Sequence, residues 1–264
     1  MSRIFVIGNE KGGAGKTTCA MHLISALLDQ GHKVASIDTD LRQVSLTNYI
    51  NNRALYNKKN PSKLVPEPMH FSLTTDEVDT FDNLDKLKAL FEQKLSSACN
   101  HAKYIIVDTP GHHSLLSRIA HSYADTVITP INDSFLDLDV MAKINPDDLS
   151  IISPSIYSQM VWEQKMQRAT RDSNSIEWIV MRNRLSHVDA VNKRNVGHVL
   201  EKLAKRISFK IAPGFSERVI FRELFLHGLT LLDLTTANYE KTLGLSHVAA
   251  RQELRDFLSS LNIT

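Results

Sequence analysis

The stretch "VIGNEKGGAGKTTCA" at 6–20 breaks an apolar run with a sharp turn rich in glycine and lysine before apolar residues resume. Those residue types at that spacing suit one chemistry, the binding of phosphate. Gly12, Gly13 and Gly15 carry no Cβ, and Ala14 is small, so the backbone can wrap closely around an anion. A strand–turn–helix arrangement would aim backbone N–H groups at that anion from a helix N-terminus. Lys16 would reach the β- and γ-phosphates of ATP, the Thr17 hydroxyl would ligate Mg²⁺, and Thr18 would complete the cradle. The strict pattern G-x-x-x-x-G-K-[ST] fails here, because Glu10 stands at its first glycine. The order strand, Gly-Lys-Thr, helix is nevertheless kept. A tight glycine turn with a solvated lysine is the bland alternative. Lys11 is a second lysine that a phosphate loop does not require, and it could simply neutralise the phosphates of its own subunit.

Two carboxylate groups of residues extend the pattern. "VASIDTDLRQ" ends an apolar run with Asp38 and Asp40, which alternation along an extended chain puts on one side. At the C-terminal edge of a parallel sheet both would face bound phosphates. Asp40 is assigned to orienting the attacking water. Asp38 either supports the Mg²⁺ shell or caps the next helix. "YIIVDTPG" at 104–111 places Asp108 at the end of another apolar run, where it would hold Mg²⁺ through water. Pro110 and Gly111 then begin a loop able to sense the γ-phosphate. His112 and His113 follow and read as a solvated pair, since phosphoryl transfer mainly needs positioning and charge. Asp133, Asp137 and Asp139 in "INDSFLDLD" read as an exposed acidic loop rather than a metal site.

A basic stretch suggests a different partner. From Arg182 to Arg222 the basic residues outnumber the acidic ones, which are Asp189, Glu201 and Glu217. Lys193, Arg194, Lys202, Lys205 and Arg218 are the candidates for DNA contact. A helix near 190–205 would bury Val199, Leu200 and Leu203 and expose the cations. Each phosphate neutralised releases counterions, so such binding should weaken steeply with salt. An ordinary solvated helix face is the alternative.

These residues require elements to hold them. "RIFVIG" (3–8), "KVASID" (33–38), "KYIIVD" (103–108), "DTVITPI" (125–131), "EWIVMRN" (177–183) and "RISFKIA" (206–212) read as strands, apolar on both faces. Residues 16–30 read as a helix that Gly31 stops. The alternation predicts an α/β fold, a mostly parallel doubly wound sheet flanked by helices. The 264 residues are read as a single domain, 1–264, with peripheral insertions near 51–82 and 145–175. Residues 58–63 look like a surface loop, and 168–175 like a loop or helix end.

Composition narrows the class. The chain is 42% hydrophobic and 23% charged, with a net charge of +2, as in an ordinary soluble protein. Any nucleic-acid surface must therefore come from local clustering. Cys19 and Cys99 lack metal-ligand spacing, which points to a reducing cytosol and away from a disulfide framework or zinc site. The chain runs straight into a strand pattern at Ile4–Ile7, so no signal peptide is expected. No run approaches the roughly 18 apolar residues that would span a bilayer.

The motifs together resemble the deviant Walker A family of P-loop NTPases, which includes the ParA and MinD partitioning and positioning ATPases. "GNEKGGAGKTT", "IDTDLRQ", "PINDSFLDLD", "VMRNRL" and "VIFRELFLHGLTLLDL" look most like its MipZ type, over roughly 3–234. The resemblance implies that Lys11 crosses a dimer interface to the partner's nucleotide, as an arginine finger would. It implies that Lys11, Lys16 and Asp40 serve slow ATP hydrolysis, and that ATP and Mg²⁺ convert monomers to a homodimer. It implies that Asn183 reads the adenine edge, with Pro213 walling the base pocket. It further implies non-specific DNA binding by the dimer, inhibition of FtsZ, contact with a ParB-like protein, and a cytoplasmic, nucleoid-associated place without a stable membrane anchor. Iron–sulfur reductases share the loop but need paired cysteines. Ligases of the dethiobiotin synthetase type share it too, without support in these residues. A MinD-like membrane regulator would need a basic amphipathic C-terminal helix. Here Leu245, Val248, Ala249, Leu254, Leu258 and Leu261 form an apolar stripe with a mixed polar face, read as a helix packed on the domain. The remaining alternatives are a ParA-type partition ATPase without division inhibition and a nucleotide sensor that does not hydrolyse.

Overall fold

Strands that are apolar on both faces must be covered on both faces, and this requirement sets the architecture. The computed structural model describes residues 2–74, 84–185, 190–234 and 245–263. Its main sheet contains β1 (Arg3–Ile7), β2 (Val34–Asp38), β3 (Met69–Ser72), β4 (Tyr104–Asp108), β5 (Thr126–Asn132), β8 (Glu177–Asn183) and β9 (Lys210–Ala212). The order is β3-β2-β4-β1-β5-β8-β9, and every pairing is parallel. A second sheet pairs β6 (Ala142–Ile144) with β7 (Ile151–Pro154) antiparallel. The α/β expectation holds, and the matching register Asp38↔Asp108 on β2 and β4 brings two of the predicted carboxylates together.

Alternation along each strand divides the core. Ile4 and Val6 of β1, with Ile105 and Val107 of β4, face one apolar layer. That layer is closed by α3 (Leu84–His101), α4 (Leu115–Tyr123), α6 (Ile156–Asp172) and α7 (Ala190–Ile207). Phe5, Ile7, Tyr104 and Ile106 face the other, closed by α1 (Lys16–Asp29), α2 (Ser45–Lys59) and α9 (Leu245–Ser260). The remaining helices are short, α5 (Phe135–Leu138) and α8 (Ile220–Phe225). Period-2 burial on a sheet with helices on both sides is what the apolar runs dictate.

Several elements differ from the sequence expectation. The run at 206–212 is a strand only over Lys210–Ala212, because Arg206 and Ile207 complete α7 and Ser208 turns the chain at φ 57°. Residues 51–59, expected as irregular, belong to α2. Its buried stripe is Leu46, Tyr49, Ile50 and Arg53, and the charge of Arg53 masks the helical period. Residues 156–172, expected within a peripheral insertion, form α6, whose Tyr157, Met160 and Val161 are core residues. In α9 the buried stripe is Ala250, Leu254 and Phe257, continued by Leu261 just beyond its end, while of the expected stripe Val248 is 62% exposed, Ala249 is also exposed, and the Leu245 side chain lies outside the described residues. Among the described residues no helix is long and apolar enough to cross a membrane.

One buried ion pair ties the C-terminal segment to α2. Arg53 donates to both carboxylate oxygens of Asp233 at 2.8 Å, and also to the carbonyls of Gly228 and Pro66. With the carboxylate and these carbonyls as partners, a charge that is 1% exposed is tolerated.

Candidate functional site

The phosphate loop leaves β1 at Gly8 and enters α1 at Lys16. Gly13 and Gly15 adopt φ +74° and +89°, a region that costs residues with a Cβ. Gly15 is the N-cap and supplies no side chain. The first N–H groups of α1 therefore lack an intrahelical partner and are available to an anion. A cavity of about 510 Å³ opens over them. It is lined by Gly12, Gly13, Gly15, Lys16, Thr17 and Thr18 from the loop, by Asp40, Gln43 and Gly111, and by His112, Arg184 and Phe225 farther out.

Lys16 is buried, with its ammonium 3.2 Å from the Lys11 carbonyl. Burial lowers its pKa, opposed by Asp108 and Asp40. The Thr17 hydroxyl donates to Asp108 Oδ2 at 2.6 Å, while Asp108 Oδ1 is buried without any hydrogen-bond partner. Burial, with Asp38 alongside, pushes the Asp108 carboxyl up to about 7. An orphaned carboxylate oxygen beside a hydroxyl is the donor set a hard divalent cation takes, so Thr17 and Asp108 fit Mg²⁺. Of the two readings of Asp38, its hydrogen bonds match the helix cap. Its carboxylate accepts the Asp40 N–H at 3.0 Å and the N–H and hydroxyl of Thr47 at 2.9 Å, so it caps the start of α2. Asp40 lines the cavity, and its Oδ1 accepts the N–H groups of Arg42 and Gln43.

Lys11 sits apart from this cluster. Its ammonium lies 3.0 Å from Asp137 and donates to the Leu136 carbonyl at 3.2 Å. The expected exposed acidic loop is thus partly a scaffold. Asp137 is buried and held by Ser134, Asp133 pairs with Arg182, and Asp139 alone is exposed. The Ser134–Asp137 contact is local, whereas Lys11 and Arg182 are distant in the chain and no local pattern signals them.

Asn183 donates its amide to the Ala14 carbonyl at 2.9 Å, and a Cβ on Gly15 would lie 2.0 Å from that amide nitrogen. Asn183 therefore props the phosphate loop. Pro213 is exposed and does not line the cavity. Arg184 and Phe225, which lie within the stretches "VMRNRL" and "VIFRELFLHGLTLLDL" without an expected role there, do line it, and Arg184 holds φ 50°, a strained conformation of the kind that clusters at functional sites. His113, read as solvated, pairs with Glu10 at 2.9 Å.

On α7, Arg194, Lys202 and Lys205 are exposed while Val199, Leu200 and Leu203 are buried, as the helical period predicts. The Lys193 side chain lies outside the described residues. Arg218 differs from the exposed set, because it is largely covered and pairs with Glu253 at 2.7 Å.

Comparisons with known proteins agree on the class of the site. A family model described as "ATPase MipZ" matches residues 3–264. The chromosome partitioning protein ParA of Myxococcus xanthus is 26% identical over 54% of this chain, and the sporulation initiation inhibitor protein Soj of Bacillus subtilis is 26% identical over 54%. The chain spans 57% and 64% of the lengths of those two relatives. Among solved structures, a plasmid partition protein of Borrelia burgdorferi bound to AMPPNP superposes with TM-score 0.63 at 17% identity, covering 98% of this chain and 100% of that one. The septum site-determining protein MinD of Pyrococcus horikoshii, complexed with Mg-ADP, gives 0.60 at 18% identity, with all of both chains covered. At such identities the structural likeness establishes the fold.

Proposed function

This chain belongs to the MipZ ATPase family, and from that premise we propose that it is an ATP-driven dimerising switch that spatially regulates cell division or chromosome partitioning. The observation that carries the proposal is the separation of the two lysines. Lys16 fills its own loop, whereas Lys11 is held at the surface by Asp137 and the Leu136 carbonyl. A lysine held outside its own loop is available to the nucleotide of a second copy.

The residues divide the work accordingly. The glycine backbone and the N-terminus of α1 bind the phosphates, with Lys16 against the β- and γ-phosphates. Thr17 and Asp108 would hold Mg²⁺, which supplies charge neutralisation across those phosphates. Asp40 orients the attacking water from the rim, and Lys11 of the partner copy completes the charge. Gly111 and His112, next to the loop, respond to the γ-phosphate. Leu136, 76% exposed beside Lys11, gives the joining face apolar area.

The dimer binds DNA without sequence preference through α7, which places the protein on the nucleoid, and it restrains FtsZ assembly. A ParB-like protein engages the monomer. Light scattering after size exclusion, without nucleotide and with AMPPNP, tests the core of this proposal. A monomer that doubles its mass and gains DNA affinity is expected. A constant mass with normal ATP turnover would refute it, and strong ATP-dependent binding to anionic liposomes would favour a MinD-like membrane role.

A further inference from the structure

Beneath the phosphate loop lies a buried polar chain that the proposed chemistry does not use. The Trp178 indole N–H donates to Thr129 Oγ1 at 3.0 Å. Thr129 Oγ1 lies 2.8 Å from the Tyr157 hydroxyl, a pair in which either oxygen can donate. Tyr157 has one proton and two further acceptors. One is the Gly8 carbonyl at 2.8 Å. The other is His121 Nε2 at 3.3 Å. His121 Nδ1 lies 2.7 Å from the Ser117 carbonyl, which accepts only, so Nδ1 carries the ring proton and Nε2 must accept. Burial holds His121 neutral, with its pKa lowered to about 4, and keeps the Tyr157 phenol protonated by raising its pKa. All four side chains are essentially inaccessible to water, so no solvent supplies the missing proton.

The two acceptors belong to two different parts of the site. Gly8 is the residue at which β1 becomes the phosphate loop. His121 sits on α4, which begins directly after the γ-phosphate-sensing loop at 111–114. The contact between them is tight: a Cβ on Gly8 would lie 2.2 Å from His121 Nε2. A shift of either part changes the share of the hydroxyl proton left to the other.

We infer that Tyr157 is a positioning residue that couples the root of the phosphate loop to α4 through its single hydroxyl proton. The inference rests on the ATPase reading above and adds a residue on α6 that touches neither nucleotide nor metal. Its consequence is that occupancy of the loop by a nucleotide tightens α4.

Hydrogen exchange on the full chain, with and without AMPPNP and Mg²⁺, tests this alongside the Kd of the analogue. In the unaltered protein the analogue slows exchange over residues 12–18 and, at least tenfold, over 115–123. Tyr157→Phe keeps the ring in the core, leaves the Kd within about threefold, and reduces the α4 effect to less than twofold. Ser158→Ala is the control, because it removes a different buried bond on α6, from Ser158 Oγ to the Met141 carbonyl at 2.6 Å. It should lower Tm comparably and retain the tenfold effect. Loss of the effect in Ser158→Ala, its retention in Tyr157→Phe, or its absence from the unaltered protein would each overturn the inference. If Tyr157→Phe does not fold, His121→Leu removes the second acceptor instead, and retained α4 protection there would overturn it equally. Absent protection at 12–18 would show that no nucleotide binds, which is failure of the ATPase reading itself and is separately visible.

Discussion

At the scale of single residues, the site turns on where its charges sit. Lys11 is held outside the loop by Asp137, so Lys11→Ala should leave the Kd for ATP within about fivefold while abolishing the mass increase with AMPPNP in light scattering. A normal nucleotide-bound dimer would remove the role of Lys11 in trans. Asp40 lines the cavity without filling it. Losing a positioned base or water-orienting group lowers turnover on the order of a hundredfold. Asp40→Ala should therefore slow phosphate release by about that factor and leave the dimer trapped on DNA, and unchanged release would clear Asp40 of the role. The phosphate loop and Asp108 are legible in the sequence because their chemistry is local, a glycine turn and an apolar run ending in a carboxylate. The tie between Lys11 and Asp137 is not, because it joins residues that only the pairing of β1 with β5 brings together. The role of Asn183 is hidden for the same reason. Nothing local reveals that its amide meets the Ala14 carbonyl.

At the scale of elements, periodicity is a reliable guide wherever apolar residues alone mark the buried face. The strands and α7 follow it, whereas α2 buries Arg53 and so hides its stripe behind a charge. The exposed face of α7 carries Arg194, Lys202 and Lys205. Each phosphate neutralised contributes about 0.9 to the slope of log K against log salt on duplex DNA. Replacing these three residues by alanine should flatten that slope by about 0.9 for every phosphate that a subunit then leaves unneutralised, with nucleotide binding unaffected. A slope equal to that of the unaltered protein would move the DNA surface off α7. Arg218, covered and paired with Glu253, should contribute to stability instead of to that slope.

At the scale of the whole molecule, stability should have an acid limb with a traceable origin. Burial lowers the pKa of His22, His70 and His121 from 6.5 to about 4. Between about pH 6.5 and 4 the unfolded chain binds these protons and the folded chain does not, so each imidazole makes stability fall as pH falls. Asp108 and Asp38 have raised pKa values and act in the opposite sense over part of the same range. The contribution of a single imidazole is isolated by His22→Leu, since His22 packs against Phe215 and Phe221 and its Nε2 has no partner. Urea unfolding at pH 7 and pH 4.5 should show the variant losing about 2 kcal/mol less than the unaltered protein across that interval; identical losses would place the acid limb elsewhere. Asp233→Ala strands the Arg53 guanidinium inside the fold, which should cost about 3–5 kcal/mol by the same measurement. A loss under about 1 kcal/mol would show that water reaches the pair.

That last pair also imposes a schedule on biosynthesis. Arg53 and Asp233 are 180 residues apart, and a ribosome adding about 5–20 residues per second separates their emergence by roughly 10–40 s. Throughout that interval α2 carries a cation without its carboxylate on the face that must dock. The segment through α2 therefore cannot settle before Asp233 has been translated, and a polypeptide released early, upstream of Leu229, should be cleared by proteases instead of accumulating as a shortened switch.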